Sequence, residues 1–166
     1  MKYPDSWIRG HCDSPLGPLL LAASPKGLAG VWFTERQRDT PRGTDWAAQP
    51  GHPVLREAAT QLTDFFLGQR HHFELPLDLA QGTPFQQAVW HALLTIPFGQ
   101  TVSYGELAAR IGRPRAVSAL GGAVGDNPIS IVVPCHRVIG ARGALTGYGG
   151  GLDRKTALLR LEGVLP

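Results

Sequence analysis

Residues 103–138 read SYGELAARIGRPRAVSALGGAVGDNPISIVVPCHRV, and this stretch decides the fold of the half of the chain around it. Ser103 and Glu106 stand three apart as a capping box, which satisfies amide donors left open at a helix start. Tyr104, Leu107, Ala108 and Ile111 then recur at helical spacing until Gly112. A turn through Gly112-Arg113-Pro114 leads to Val117, Leu120, Gly121 and Val124, spaced i, i+3, i+4, i+7. Two short helices across a tight glycine-containing turn predict a helix-turn-helix, and a plain helical hairpin is the alternative the same spacing allows. Gly121 and Gly122 each cost the second helix about 1 kcal/mol relative to alanine, which suggests close approach of another backbone.

Downstream, Asn127-Pro128 ends the second helix, and Ile129–Val133 is an apolar run expected to form a short buried strand. It leads into Pro134-Cys135-His136-Arg137-Val138. A thiol with an ordinary pKa of about 8.5 is only slightly ionised at neutral pH, so a cysteine nucleophile needs a base and positive charge nearby. His136 and Arg137 carry both. On a regular strand, positions 135 and 136 point to opposite faces, so cooperation requires a turn or a bridging water here. The alternative is an inert buried cysteine beside a surface histidine. A final helix is expected over Leu152–Glu162, where Glu162 as an ordinary exposed carboxylate is the plain reading.

Upstream, Thr83-Pro84-Phe85-Gln86 is a second capping box with proline at the first helical position, followed by Ala88, Val89, Ala92 and Leu93 on one face. Leu55, Ala58, Ala59, Leu62, Phe65 and Phe66 mark another amphipathic helix, entered at Pro53 and left at Gly68. Before it, Ser6–Cys12, Pro18–Ala23 and Leu28–Thr34 read as strands of an antiparallel meander. Residues 36–51 are expected to be a surface loop, His72–Leu77 one more short strand, and Asp78–Gly82 a hinge. The fold class is therefore α+β: a small N-terminal α/β lobe with an antiparallel sheet over residues 1–80, and a mostly helical C-terminal lobe with a helix-turn-helix over residues 81–166.

The chain has 166 residues, 43% of them hydrophobic and 17% charged, which excludes a disordered tail as its main character. No run approaches the roughly 20 apolar residues of a membrane span, and the start lacks the apolar core of a secretory signal. A cytoplasmic protein is expected. Residues 1–81 carry a net charge of −1 and residues 82–166 a net +4, so the second half is the one to face an anion. Cys12 and Cys135 are the two cysteines, too few for a disulfide framework. Cys12 with His11, His52, His71 and His72 shows no recognisable metal-ligand spacing, so no metal is expected.

Several motifs in order resemble one family, the O6-alkylguanine-DNA alkyltransferases. They are Thr83-Pro84-Phe85-Gln86, Ile96-Pro97-Phe98-Gly99, Val102–Ala108, Asn127-Pro128, Ile131–Ile139 and Thr146–Gly151, and the resemblance covers roughly residues 83–163. Residues before about 80 look only loosely like the family's variable N-terminal lobe. The resemblance implies a DNA repair protein whose partner is double-stranded DNA containing O6-alkylguanine. The nucleotide is flipped out, and its O6-alkyl group (thymine O4 is a second substrate) moves irreversibly to Cys135. One molecule repairs one lesion, without a cofactor and as a monomer.

By the same resemblance, His136 acts as base through water, Glu162 orients His136, and Asn127 stabilises the turn into the cysteine segment. Tyr104 helps rotate the target nucleotide, while Tyr148 and the Val138 backbone form part of the base pocket. Arg115, Ser118, Gly121, Gly122 and Arg137 fall at the DNA surface, with Arg113 and Arg142 as further phosphate contacts. The family carries an arginine at the position of Ser118, inserted where the flipped base was. Serine cannot fill that gap, which leaves Arg115, one turn earlier, to substitute, or a weaker enzyme. A non-catalytic damage-binding protein is the alternative function, against which Cys135 argues, and a Cys-His hydrolase is a third.

Overall fold

The computed structural model describes residues 3–166. Three strands form the predicted meander: β1 (Ile8–Cys12), β2 (Leu19–Ser24) and β3 (Gly27–Phe33), followed by a two-residue β4 (Ala47–Ala48). The sheet order is β3-β2-β1-β4, antiparallel except for the parallel β1–β4 pair. Side chains alternate across it as the pleat dictates. Leu19, Leu21 and Ala23 enter the main core, and Leu20 and Ala22 join Trp7, Ala29, Trp32 and Trp46 on the opposite face. Helix α1 (Pro53–Phe66) covers the main-core face with the predicted stripe of Leu55, Ala58, Leu62 and Phe65.

The segment expected as a surface loop over 36–51 is only partly that. Trp46 is buried, stacks on Trp32 and donates its indole N–H to the Pro4 carbonyl at 2.9 Å. Gln37 and Thr40 are buried too. The expected strand at His72–Leu77 is instead one parallel bridge between Leu77 and Leu28, because Pro76 has no amide with which to extend a ladder. Gly27, at φ +150°, lets this crossing occur: a Cβ there would sit 2.4 Å from the Pro76 carbonyl oxygen. The turn after it is tied by Asp78, which accepts from Ser24 Oγ and from the Ala80 amide.

The remaining helices are α2 (Pro84–Leu93), α3 (Tyr104–Arg110), α4 (Val117–Gly125) and α5 (Leu152–Leu161). Both arms of the Thr83–Gln86 capping box are present, at 2.9 and 3.1 Å. Ser103 Oγ accepts from the Glu106 amide at 3.0 Å and starts α3, and Gly112 (φ +72°) ends its turn. Helices α3 and α4 are the predicted helix-turn-helix, and Trp90 fastens α2 to α4 through a 2.9 Å bond to the Ala123 carbonyl. Two short parallel strands, β5 (Val102–Ser103) and β6 (Val138–Ile139), pair the residues just before Tyr104 with those just after the Cys-His-Arg triplet. That pairing sets Tyr104 beside the cysteine segment.

Candidate active site

The apolar run Ile129–Val133 is not the expected strand. Ile129 makes a single bridge to Val31 on the free edge of β3, through Val31 N to Pro128 O (2.8 Å) and Ser130 N to Val31 O (3.1 Å). Ile131 then adopts φ +72°, a costly conformation for a β-branched residue, and the chain turns away. Asn127 holds that turn from inside: its carbonyl oxygen accepts from the Ile129 amide (3.0 Å) and its amide donates to the Val133 carbonyl (2.8 Å). Cys135–Arg137 follow as one 3₁₀ turn, which removes the opposite-face problem of a strand.

Within that turn, His136 and Arg137 both reach the C-terminal end of α5. Glu162, the residue that caps α5, is buried and not the exposed carboxylate of the plain reading. His136 Nε2 lies 2.6 Å from its Oε2, Arg137 donates to both oxygens (2.8 and 3.0 Å), and the Gly99 amide donates to Oε1 at 3.1 Å. Burial alone would raise the carboxyl pKa, but the hydrogen bonds and charges of His136 and Arg137 bring it down to about 2. Glu162 is therefore an anion and can only accept, which assigns the proton to His136 Nε2 and leaves Nδ1 as the basic nitrogen. Nδ1 is buried and has no hydrogen-bond partner among the described residues. Burial lowers the His136 pKa despite Glu162, so the ring is neutral at neutral pH and competent to take a proton.

Burial raises the Cys135 pKa, while Asn127 and the charge of Lys155 pull the other way. The resting group is thus a thiol, activated only when its proton can leave. Lys155 was not singled out from the sequence. It is fully buried, donates Nζ to the Val138 carbonyl (2.6 Å) and the Thr146 carbonyl (2.8 Å), and is brought by burial to a pKa of about 8. The Thr146 carbonyl also accepts from Tyr104 Oη at 3.2 Å. Lys155 thereby ties the strand after the cysteine to the loop that carries Tyr148. Next to them lies a cavity of about 470 Å³ whose wall includes Tyr104, Gly121, Gly125, Gly147, Tyr148 and Gly149.

Two sequence patterns match the chain in tandem: the ribonuclease-like domain of 6-O-methylguanine DNA methyltransferase over residues 8–79 and the DNA binding domain of the same protein over residues 84–164. A Mycobacterium tuberculosis methylated-DNA–protein-cysteine methyltransferase is 53% identical over 150 residues, covering 90% of this chain and 88% of that protein. The chain belongs to the O6-methylguanine-DNA methyltransferase family. A Methanosarcina acetivorans relative of the same name is 47% identical over 91% of this chain and 95% of its own. Among solved structures, the M. tuberculosis O6-methylguanine methyltransferase superposes with a TM-score of 0.85 at 51% identity, covering 96% of this chain and 95% of that one. A second, of M. tuberculosis OGT in complex with DNA, gives 0.84 at 50% identity, covering 97% and 95%.

In this methyltransferase the residues picked out by sequence fall into two groups. Cys135, His136, Glu162, Asn127, Val138, Tyr104 and Tyr148 come together as described, and the Tyr148 hydroxyl is buried without a partner among the described residues. On α4, a Cβ at Gly121, Gly122 or Gly125 would meet nothing within 4 Å, so internal packing does not demand these glycines and their bareness faces outward. Ser118 is exposed on α4, Arg113 and Arg115 are exposed on the turn before it, Arg142 is exposed beyond β6, and none of the four is in the cavity wall. Arg137 is a correction. Its guanidinium is spent on Glu162 and on the Ile96 carbonyl (2.6 Å) and is buried, so it is not available to a phosphate. Among the described residues no cluster of three or more His, Cys, Asp or Glu is placed to hold a metal, and no helix is long and apolar enough to cross a membrane.

Proposed function

We infer that the chain repairs DNA by moving an alkyl group from guanine O6 to its own Cys135, acting as a methylated-DNA–protein-cysteine methyltransferase on double-stranded DNA. The observation that carries this is Cys135 on a 3₁₀ turn beside a neutral, Glu162-anchored imidazole, within electrostatic reach of Tyr104 and Tyr148, which line a cavity bordered by a bare helix face. Sulfur attacks the alkyl carbon as the carbon–O6 bond breaks. The thiol proton passes, through water, to His136 Nδ1, and the departing guanine regains a proton at N1. The net change is one thioether formed and one guanine restored, with no co-reactant.

In this reading Asn127 holds the turn, Glu162 orients His136, and Arg137 and Lys155 supply fixed positive charge. Tyr104, Tyr148 and the Val138 backbone form part of the base pocket. Gly121, Gly122, Ser118 and Arg115 meet the duplex, and thymine O4 is a second site of attack. Residues 1–80 and 81–166 are the two lobes. The protein acts as a monomer in the cytoplasm, where a reduced thiol persists. The test is mass spectrometry after incubation with a duplex containing O6-methylguanine: the reading requires one added methyl, stable to reductants, on the peptide containing Cys135. An unmodified peptide would exclude it.

Extruding a base costs a few kcal/mol of stacking and pairing, and an arginine at position 118 would offset part of that cost. Ser118→Arg is therefore expected to raise the second-order rate on duplex DNA several-fold while leaving the rate with a free O6-alkylated base unchanged. Arg115→Ala is expected to lower the duplex rate alone. An unaltered duplex-to-free-base ratio in both variants would make position 118 an ordinary helix-surface site.

A further inference from the structure

The wall of the 470 Å³ cavity is not built by the C-terminal lobe alone: Arg38 and Asp39, from the loop after β3, complete it. This loop is a fixed element. Gln37 and Thr40 flank the pair, both buried, and both bind the backbone of Phe33: the Phe33 amide donates to Gln37 Oε1 (2.9 Å), and Thr40 Oγ1 donates to the Phe33 carbonyl. Gln37 also donates Nε2 to Asp39 Oδ1 at 3.1 Å, which fixes the carboxylate's direction. Every other arginine near this loop is occupied. Arg36 pairs with Asp153 (2.9 Å), Arg42 donates to the Thr34 carbonyl, and Arg154 donates to the Leu16 and Glu35 carbonyls. Arg38 is exposed and, among the described residues, donates to none.

Among the described residues, the charged side chains of the cavity wall are Arg38, Asp39 and Asp126, so Arg38 is the one cation among them. A nucleotide entering this cavity brings its phosphate with it. Two carboxylates would repel that anion, and a guanidinium is the group that binds it through paired N–H donors. Position 118 holds serine, so α4 supplies no arginine of its own there. We propose that Arg38 is a substrate-positioning residue that binds the phosphate flanking the extruded nucleotide, so that the N-terminal lobe holds the nucleotide in place. The proposal rests on the reading of the cavity as the base pocket.

Single nucleotides test it without any duplex or stack. The substrates are free O6-benzylguanine, O6-methyl-2′-deoxyguanosine, and the 5′- and 3′-monophosphates of that nucleoside. The parent protein is expected to react with one of the monophosphates on the order of tenfold faster, in kcat/KM, than with the nucleoside, the size of one charge-assisted hydrogen bond. Arg38→Ala should abolish or reverse that preference, because the carboxylates remain, and should leave the free-base rate unchanged. Arg38→Lys should restore part of it. On duplex DNA, Arg38→Ala should also reduce the slope of log affinity against log salt by about one. A phosphate preference that persists in Arg38→Ala, or that the parent lacks while transferring from the free base, overturns the proposal. So does an equal loss with the free base, which would place Arg38 on the base itself. Absence of transfer from every substrate, duplex included, removes the underlying reading instead.

Discussion

Cys135→Ser is expected to abolish transfer completely while leaving affinity for a duplex containing O6-methylguanine within about threefold of the parent. An alcohol is far less nucleophilic than a thiol at neutral pH, even with a neutral imidazole available. The substitution removes little volume, and the backbone contacts of the turn, including Cys135 N to Val133 O at 2.8 Å, do not involve the side chain. In the proposed reading, binding is a property of α4, of the turn before it with Arg113 and Arg115, and of the cavity, none of which the substitution touches. The measurements are mass spectrometry for the adduct and fluorescence anisotropy for the duplex. A methyl adduct on the serine variant, on whichever residue, would falsify the assignment of Cys135 as sole acceptor. Loss of binding together with transfer would show that the sulfur also shapes the pocket.

What could be read without coordinates follows from which interactions are local. Capping at Thr83 and Ser103, the stripe of α1 and the glycine stop at Gly112 depend on neighbours within a few residues, and the structure has them. The misreadings share a different cause. Phe73, Leu75 and Leu77 pack half-buried against the main core, and Ile129, Ile131, Val132 and Val133 are buried in it, each segment docking on the edge of β3. One bridge each is all they make, since Pro76, Pro128 and the positive φ of Ile131 prevent a ladder. Apolar content alone does not separate these two cases.

The charged residues teach the same lesson from the other side. Lys155, Leu158, Leu159 and Glu162 share one face of α5 at i, i+3, i+4, i+7, so two charges stood at the ends of an apolar stripe. The family resemblance points to Glu162 and not to Lys155, though the spacing marks both. Arg137 looked like a surface cation because its partner lies 25 residues on. Arg38 and Asp39 carried no signal at all. Their place at the cavity depends on how the β3 loop meets the other lobe, which no local pattern encodes.

Glu162→Gln should slow transfer by roughly 10²- to 10⁴-fold, the usual contribution of a general base. The carboxylate is acceptor-only and fixes the proton on His136 Nε2. An amide nitrogen turned toward the ring would instead donate to Nε2 and move the ring proton to Nδ1, the atom that must be free. The same change leaves Arg137 buried beside a neutral group, at a cost of about 3–5 kcal/mol, or roughly 6–20 °C in Tm for a chain of this size. Rates must therefore be taken well below the variant's melting temperature. His136→Ala provides the control, since it loses the base but keeps the Arg137–Glu162 pair. The pH profile then separates chemistry from folding. With His136 held neutral below its ordinary pKa, the parent rate should stay nearly flat from pH 8 to 6.5 and fall only at lower pH. In His136→Ala the thiol must ionise unaided, so the rate should climb about tenfold per pH unit through pH 8, burial having raised the Cys135 pKa. Stability follows Glu162 by a separate route. Its pKa is lower in the folded state than in the unfolded chain, so its stabilising contribution is complete above pH 4.5 and is lost as the pH falls toward 2. A parent rate that rises as steeply with pH as that of His136→Ala would mean that the imidazole takes no proton and that Lys155 alone lowers the barrier to ionisation.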